Sequence, residues 1–136
     1  MLYPMVILII FTIFICASLG MLRFVSVQKR QVNPKLYLLM SGYDEPSHLK
    51  KINRHYINLL EQPILFYLAC ILAMALDLQS SALIGLSWGY LIARAIHSAI
   101  HLSYNNALHR MGVFSISLFI LLAIWIQLAL TISNQA

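Results

Sequence analysis

Charge is what this 136-residue chain has little of: only 10% of its residues are Asp, Glu, Lys or Arg, against roughly 25% in an ordinary globular domain. Acidic residues are the scarcest, four in all against nine Lys and Arg. With 61% hydrophobic residues, such a chain has no polar coat for a soluble domain and reads as an integral membrane protein. Its net charge of +5 does not point to nucleic acid, because seven of the nine basic residues (Arg23, Lys29, Arg30, Lys35, Lys50, Lys51, Arg54) fall in one hydrophilic stretch and its margins. That clustering marks a cytoplasmic loop, not a basic groove. The two cysteines, Cys16 and Cys70, sit in apolar segments without CxxC spacing and read as small buried hydrophobes. Internal repeats, low-complexity tracts and a separate soluble domain are also missing.

What is present is a series of apolar runs. Leu2 to Leu22 carries no charge, enough to span a core of ~30 Å at ~1.5 Å per residue. It does not read as a cleaved signal peptide, since no positive residue precedes it and the basic cluster follows it. Arg23–Asn53, broken at Asn33-Pro34, Ser41-Gly42 and Glu45-Pro46, is too polar to enter the bilayer. The expected helices cover about 2–28, 51–76, 82–104 and 111–132, within a single domain over 1–136. Pro63 should kink the second. Polar turns at Asp77–Ser80 and Asn105–Arg110 reverse the chain. The fold class is therefore all-α: a four-helix, up-down, membrane-spanning bundle. Lys/Arg asymmetry puts both basic loops in the cytoplasm and both termini outside.

Two polar stripes interrupt these runs. One is Arg54, Asn58 and Glu61; the other is Ser87, Tyr90, Arg94, His97 and His101. Each steps by three or four residues, so each occupies one helix face. An Arg or Asp at the centre of a membrane helix costs about 2.5–3.5 kcal/mol on insertion scales, so such groups face a partner, a cavity or water. Glu61 lies about 10 Å along the axis from Arg54, and Arg94 about 10 Å from His101 on an antiparallel helix. The two stripes thus reach similar depth. Glu61 and Arg94 are expected to neutralise each other, with Asn58, His97, His101, Arg54 and Arg110 above them. Such a donor-rich, net positive site suits an anionic ligand bearing carboxylates.

Other readings of the same residues exist. Glu61–Arg94 could be only an interhelical clasp. His97-x-x-x-His101 has the one-turn spacing of a metal pair, with Glu61 as a third ligand. The neighbouring arginines disfavour a cation, and no HExxH is present, so no metal is expected. Lys50 and Lys51 read as interfacial anchors, His55 as an interfacial residue off the stripe, and the methionines, Trp88 and Trp125 as packing or belt residues.

The string Arg54-His55-Tyr56-Ile57-Asn58-Leu59-Leu60-Glu61-Gln62-Pro63, taken with Arg94 and Arg110, resembles the MAPEG family, the membrane-associated proteins of eicosanoid and glutathione metabolism. Its second helix carries Arg-x-x-x-Asn-x-x-Glu, its third an inward Arg, and its fourth an Arg near the start. The sixteen-residue step from Arg94 to Arg110 is similar to that of the microsomal glutathione transferases, and Lys29–Pro34 loosely matches a basic run followed by Asn-Pro. The resemblance implies a homotrimer with sites between subunits, and glutathione as cosubstrate near the cytoplasmic leaflet. Arg54, Asn58, Glu61 and Arg94 would hold its charged ends, and Arg110 would stabilise its thiolate. His101 and His97 stand where several members have Tyr. His101 joins Arg110 in the catalytic set and His97 the glutathione-binding set. These departures suit a divergent, bacterial-type member in an inner membrane. The expected activity is a glutathione-dependent transferase or peroxidase acting on lipophilic electrophiles, with membrane lipids and lipophilic small molecules as further partners. The alternative is a non-catalytic binding or scaffold protein of the same fold.

Overall fold

Hydrocarbon offers backbone groups no water, so an apolar run must satisfy its own N–H and C=O groups, and it does so as a helix. A computed structural model describes residues 1–39, 42 and 44–134. Six helices follow in order: α1 Leu2–Gln28, α2 Leu36–Leu39, α3 Ser47–Glu61, α4 Pro63–Ala75, α5 Ser81–Leu102 and α6 Ala107–Ser133. No strand occurs among the described residues. Pro63 has no N–H to donate and ends the hydrogen-bond ladder of α3. Gln62 nevertheless keeps helical dihedrals (φ −73°, ψ −42°), so α3 and α4 continue as one 29-residue rod, Ser47–Ala75. That rod, α1, α5 and α6 are four helices long and apolar enough to cross a membrane. The protein is an all-helical integral membrane protein.

Two contacts establish which ends lie together. The amine of Met1 donates to Gln79 Oε1 at 2.9 Å, joining the start of α1 to the α4–α5 turn. Lys51 Nζ donates to the carbonyl oxygens of Leu102 and Ser103, each at 2.7 Å. It thereby caps the end of α5, where unpaired carbonyls carry the negative end of the helix dipole. The rods therefore alternate in direction. α4 closes with Asp77 in the left-handed region (φ 55°) and Leu78 N–H bonded to Ala73 O at 2.8 Å, a Schellman closure.

Helix boundaries follow their caps. α3 starts at Ser47, ahead of Lys51, because Pro46 O accepts the Lys50 N–H at 3.0 Å. α5 stops at Leu102, short of Tyr104. α6 begins at Ala107 instead of Met111, since Asn106 Oδ1 accepts the amides of Leu108 and His109 at 2.9 and 3.2 Å. Arg110 consequently stands in the first turn of a helix, not in a loop.

Inside the bundle, Leu8, Ile15, Leu59, Phe66, Tyr90, Leu121, Ile124 and Leu128 form the core. Ile10, Phe14, Leu68, Ile92 and Phe119 remain exposed on the outer faces, as lipid-facing residues should. Cys70 is buried, but Cys16 is exposed on the outer surface, against expectation, because it falls on the outward face of α1. Beyond the bundle, Val32, Leu36 and Leu49 make a small second cluster with Leu22 and Tyr37. Arg23 lies over the Tyr37 ring at 5.2 Å, with Nε 3.9 Å from Glu45 Oε1. Of the expected Ser41-Gly42 turn, Gly42 is left-handed (φ 82°); Ser41, like Met40, Tyr43 and the tail residues 135–136, lies outside the described residues.

Candidate functional site

Arg94 is the largest fully buried side chain among the described residues, at 0% exposure. Its stripe on α5 (Ser87, Tyr90, Arg94, His97 and His101) is buried throughout. The partner expected for it is not the one it has. Arg94 Nη1 donates to Gln62 Oε1 at 2.8 Å and Nη2 to the carbonyl of Asn58 at 3.0 Å. Glu61 is exposed and makes no ion pair with Arg94. The reason is rotational: consecutive helix residues differ by about 100°, so when Gln62 points inward Glu61 points out. Gln62 also donates through Nε2 to Ser117 Oγ at 3.3 Å, and Ser117 in turn donates to Phe114 O at 2.7 Å. Helices α3, α5 and α6 are thus tied by a buried polar network in which the cation is held by an amide and a carbonyl.

A polar cavity of about 220 Å³ opens beside this network, lined by Asn58 of α3, His97 of α5, and Ala107, Arg110, Met111 and Phe114 of α6. The early start of α6 is what brings Arg110 here. Its Nη1 donates to Asn105 Oδ1 at 2.7 Å, while its buried Nε has no partner. No Asp or Glu is among the described residues lining the cavity. Its polar lining is positive or neutral and suits an anionic group.

Of the expected site residues, the chain brings Asn58, His97 and Arg110 together at the cavity, with Arg94 and His101 buried behind it. Arg54 and Glu61 are exposed on the outer face of α3, apart from the cavity lining. Sequence reasoning missed Gln62, Ser117 and above all His55. His55 is not interfacial but 0% exposed, with its ring 5.0 Å from that of His101 and 6.3 Å from that of His97. The signal was available: His55, Leu59, Gln62 and Phe66 step by four, three and four residues, and all four are buried. Despite these histidines, no cluster suited to a metal ion occurs among the described residues.

A larger apolar groove, about 570 Å³, runs between α1 and α5 past Phe11, Trp88, Ile92 and Ala95. It shares no lining residue with the polar cavity.

Among known families, the sequence pattern of the MAPEG family matches residues 1–130 of the chain. No curated protein and no solved structure matches the chain.

Proposed function

Because the chain belongs to the MAPEG family, we propose that it is a membrane-embedded glutathione-dependent transferase or peroxidase acting on lipophilic electrophiles. The observation that carries this reading is the acid-free cavity where Arg110, Asn58 and His97 meet in front of the buried Arg94 network. A thiol with pKa of about 8.5 is mostly protonated at neutral pH, and a fixed cation beside it raises the thiolate fraction. Arg110 is suited to that task because a guanidinium does not lose its own proton. Its Nη1 donates to Asn105 Oδ1, and Arg110 is among the residues that line the cavity. Asn58 and His97 hold the polar backbone of the peptide, and His101 supports them from behind. The thiolate sulfur then forms a bond to the electrophilic carbon, and the leaving group departs with the electron pair of the bond that breaks.

Arg54 and Glu61 enter this reading through assembly. Both are exposed in one chain although they lie in a membrane-associated rod, where unpaired charge is costly. In a homotrimer their face is covered by a neighbouring copy, so the glutathione site is completed at the subunit boundary. The basic end of the bundle then faces the cytoplasm, from which glutathione enters, while the acceptor arrives from the lipid.

The test is a titration of the detergent-purified protein with glutathione, following calorimetric heat and thiolate absorbance. Saturable heat with an absorbance rise supports the reading. Neither signal at millimolar glutathione overturns it in favour of a non-catalytic scaffold.

A further inference from the structure

At ~1.5 Å per residue, the uncharged run Leu2–Leu22 covers the ~30 Å of a hydrocarbon core. Arg23, the first charged side chain of α1, therefore stands at the level of the lipid phosphates. A groove of about 270 Å³ opens there, lined by Gly20, Arg23, Phe24 and Val27 of α1 and by Tyr37 of α2. Its floor is apolar and open: Gly20 and Phe24 are exposed, and a Cβ added at Gly20 would meet nothing within 4 Å. Its cation is Arg23, whose guanidinium lies 5.2 Å from the centre of the Tyr37 ring. That ring packs against the cluster of Val32, Leu36 and Leu49, which fixes it beside the guanidinium. The Arg23 side chain is 27% exposed, whereas that of Glu45 is 11% exposed and does not line the groove. Arg23 Nε and Glu45 Oε1 are 3.9 Å apart, beyond hydrogen-bonding distance. Neither atom has a hydrogen-bond partner among the described residues.

We propose that this groove binds an anionic phospholipid from the leaflet at the basic end of the bundle. The phosphate rests against Arg23, and the start of one acyl chain lies over Gly20 and Phe24. The proposal is independent of the glutathione reading, since the groove shares no lining residue with the polar cavity. Charge complementarity chooses the headgroup. The charged residue of the lining is a cation; exposed Lys29 and Arg30 follow the end of α1, and exposed Lys35 stands two residues before Tyr37. Asp44, the other acid of this region, is 3.9 Å from Lys50. A guanidinium partly withdrawn from water gains strongly from a phosphate, whose oxygens match its fork of N–H donors. Basic clusters just beyond a membrane helix attract anionic lipids for the same reason. The apolar floor chooses a lipid over a free anion. A free phosphate would use the cation alone, whereas a phospholipid also covers Gly20 and Phe24. Tyr37, a ring with a polar tip, suits the headgroup level as well.

The experiment uses the full chain, purified in detergent and stripped of lipid. It is titrated with phosphatidylglycerol or phosphatidylcholine bearing the same chains, and bound lipid is counted by native mass spectrometry. The wild type should bind phosphatidylglycerol more tightly than phosphatidylcholine. Arg23→Gln should lose about fivefold in phosphatidylglycerol affinity, the contribution typical of one basic residue at an anionic surface, and lose most of the preference. Gly20→Leu, whose Cβ meets nothing within 4 Å, should melt as the wild type does without lipid but bind both lipids more weakly. Glycerol phosphate, a headgroup without chains, should not displace bound phosphatidylglycerol at equal concentration. Equal affinity of the wild type for the two lipids overturns the anionic headgroup. Displacement by glycerol phosphate overturns the lipid in favour of a free anion. A preference unchanged in both variants overturns the groove and leaves only general attraction to the basic loop. Should Arg23→Gln not fold, Gly20→Leu alone decides: weakened binding supports the groove, and wild-type binding overturns it.

Discussion

Arg94 Nη1 donates to Gln62 Oε1 over 2.8 Å, so a cation fully enclosed by the bundle is held by a neutral amide. With no counter-charge in contact among the described residues, the cation depends on hydrogen bonds to replace the water it has lost. The Asn58 carbonyl at 3.0 Å meets part of that need. Gln62 extends it by donating to Ser117, and the arrangement locks α3, α5 and α6 to one another at the depth of the cavity.

Removing the amide should therefore be costly. Gln62→Met keeps the volume but withdraws a hydrogen bond from a buried cation, a loss of about 1.5–3 kcal/mol. A clear fall in melting temperature in detergent is expected. Glu61→Gln, which removes no group from this network, should melt later than Gln62→Met and lower glutathione affinity instead. If Glu61→Gln melts as early as Gln62→Met, the amide is not the partner that matters.

Arg110 and Arg54 should separate chemistry from binding. Loss of the Arg110 charge raises the pKa of the bound thiol, each unit being about 1.36 kcal/mol of thiolate stabilisation. Arg110→Ala should keep glutathione binding and lose turnover at neutral pH. The sign is definite: activity recovers in part as pH rises toward the thiol's own pKa, where the thiolate forms unaided. Arg54→Ala should weaken binding and regain activity at high glutathione. Wild-type turnover by Arg110→Ala at pH 7 would exclude the thiolate role.

Lys51 should matter for α5 more than an ordinary anchoring lysine does. Its two bonds to Leu102 and Ser103 carbonyls satisfy groups the helix itself leaves unpaired. Lys51→Met should cost about 0.3–1 kcal/mol, as is typical of a cation at a helix C-terminus, and speed amide exchange in the last turn of α5. Lys50→Met, which loses an exposed 3.9 Å ion pair with Asp44, should do neither. Identical exchange in the two variants would show that the cap is idle.

Topology is testable by reporter fusions. If positive charge is retained on the cytoplasmic side, loop 1 should lie inside and both termini outside. A reporter after Asn53 and one at the C-terminus should report opposite sides. The same side for both would contradict the four-crossing arrangement.

The four crossings were legible in the sequence, because hydropathy and length decide them residue by residue without reference to neighbours. The buried face of α5 was legible as well: its polar residues occupy a single stripe, so only one orientation hides them all. α3 offered two. Arg54, Asn58 and Glu61 share one stripe; His55, Leu59 and Gln62 share the next, about 100° away. Periodicity alone cannot choose between two stripes of equal spacing that each carry polar groups. Packing chose the second, since Leu59 and Gln62 continue into the apolar face of α4 through Phe66, Ala69 and Ala73, and the rod runs on past Pro63 without losing register. That choice, made by the core of α4 and not by α3, gave Arg94 an amide partner, turned Glu61 outward, and brought His55 against His97 and His101.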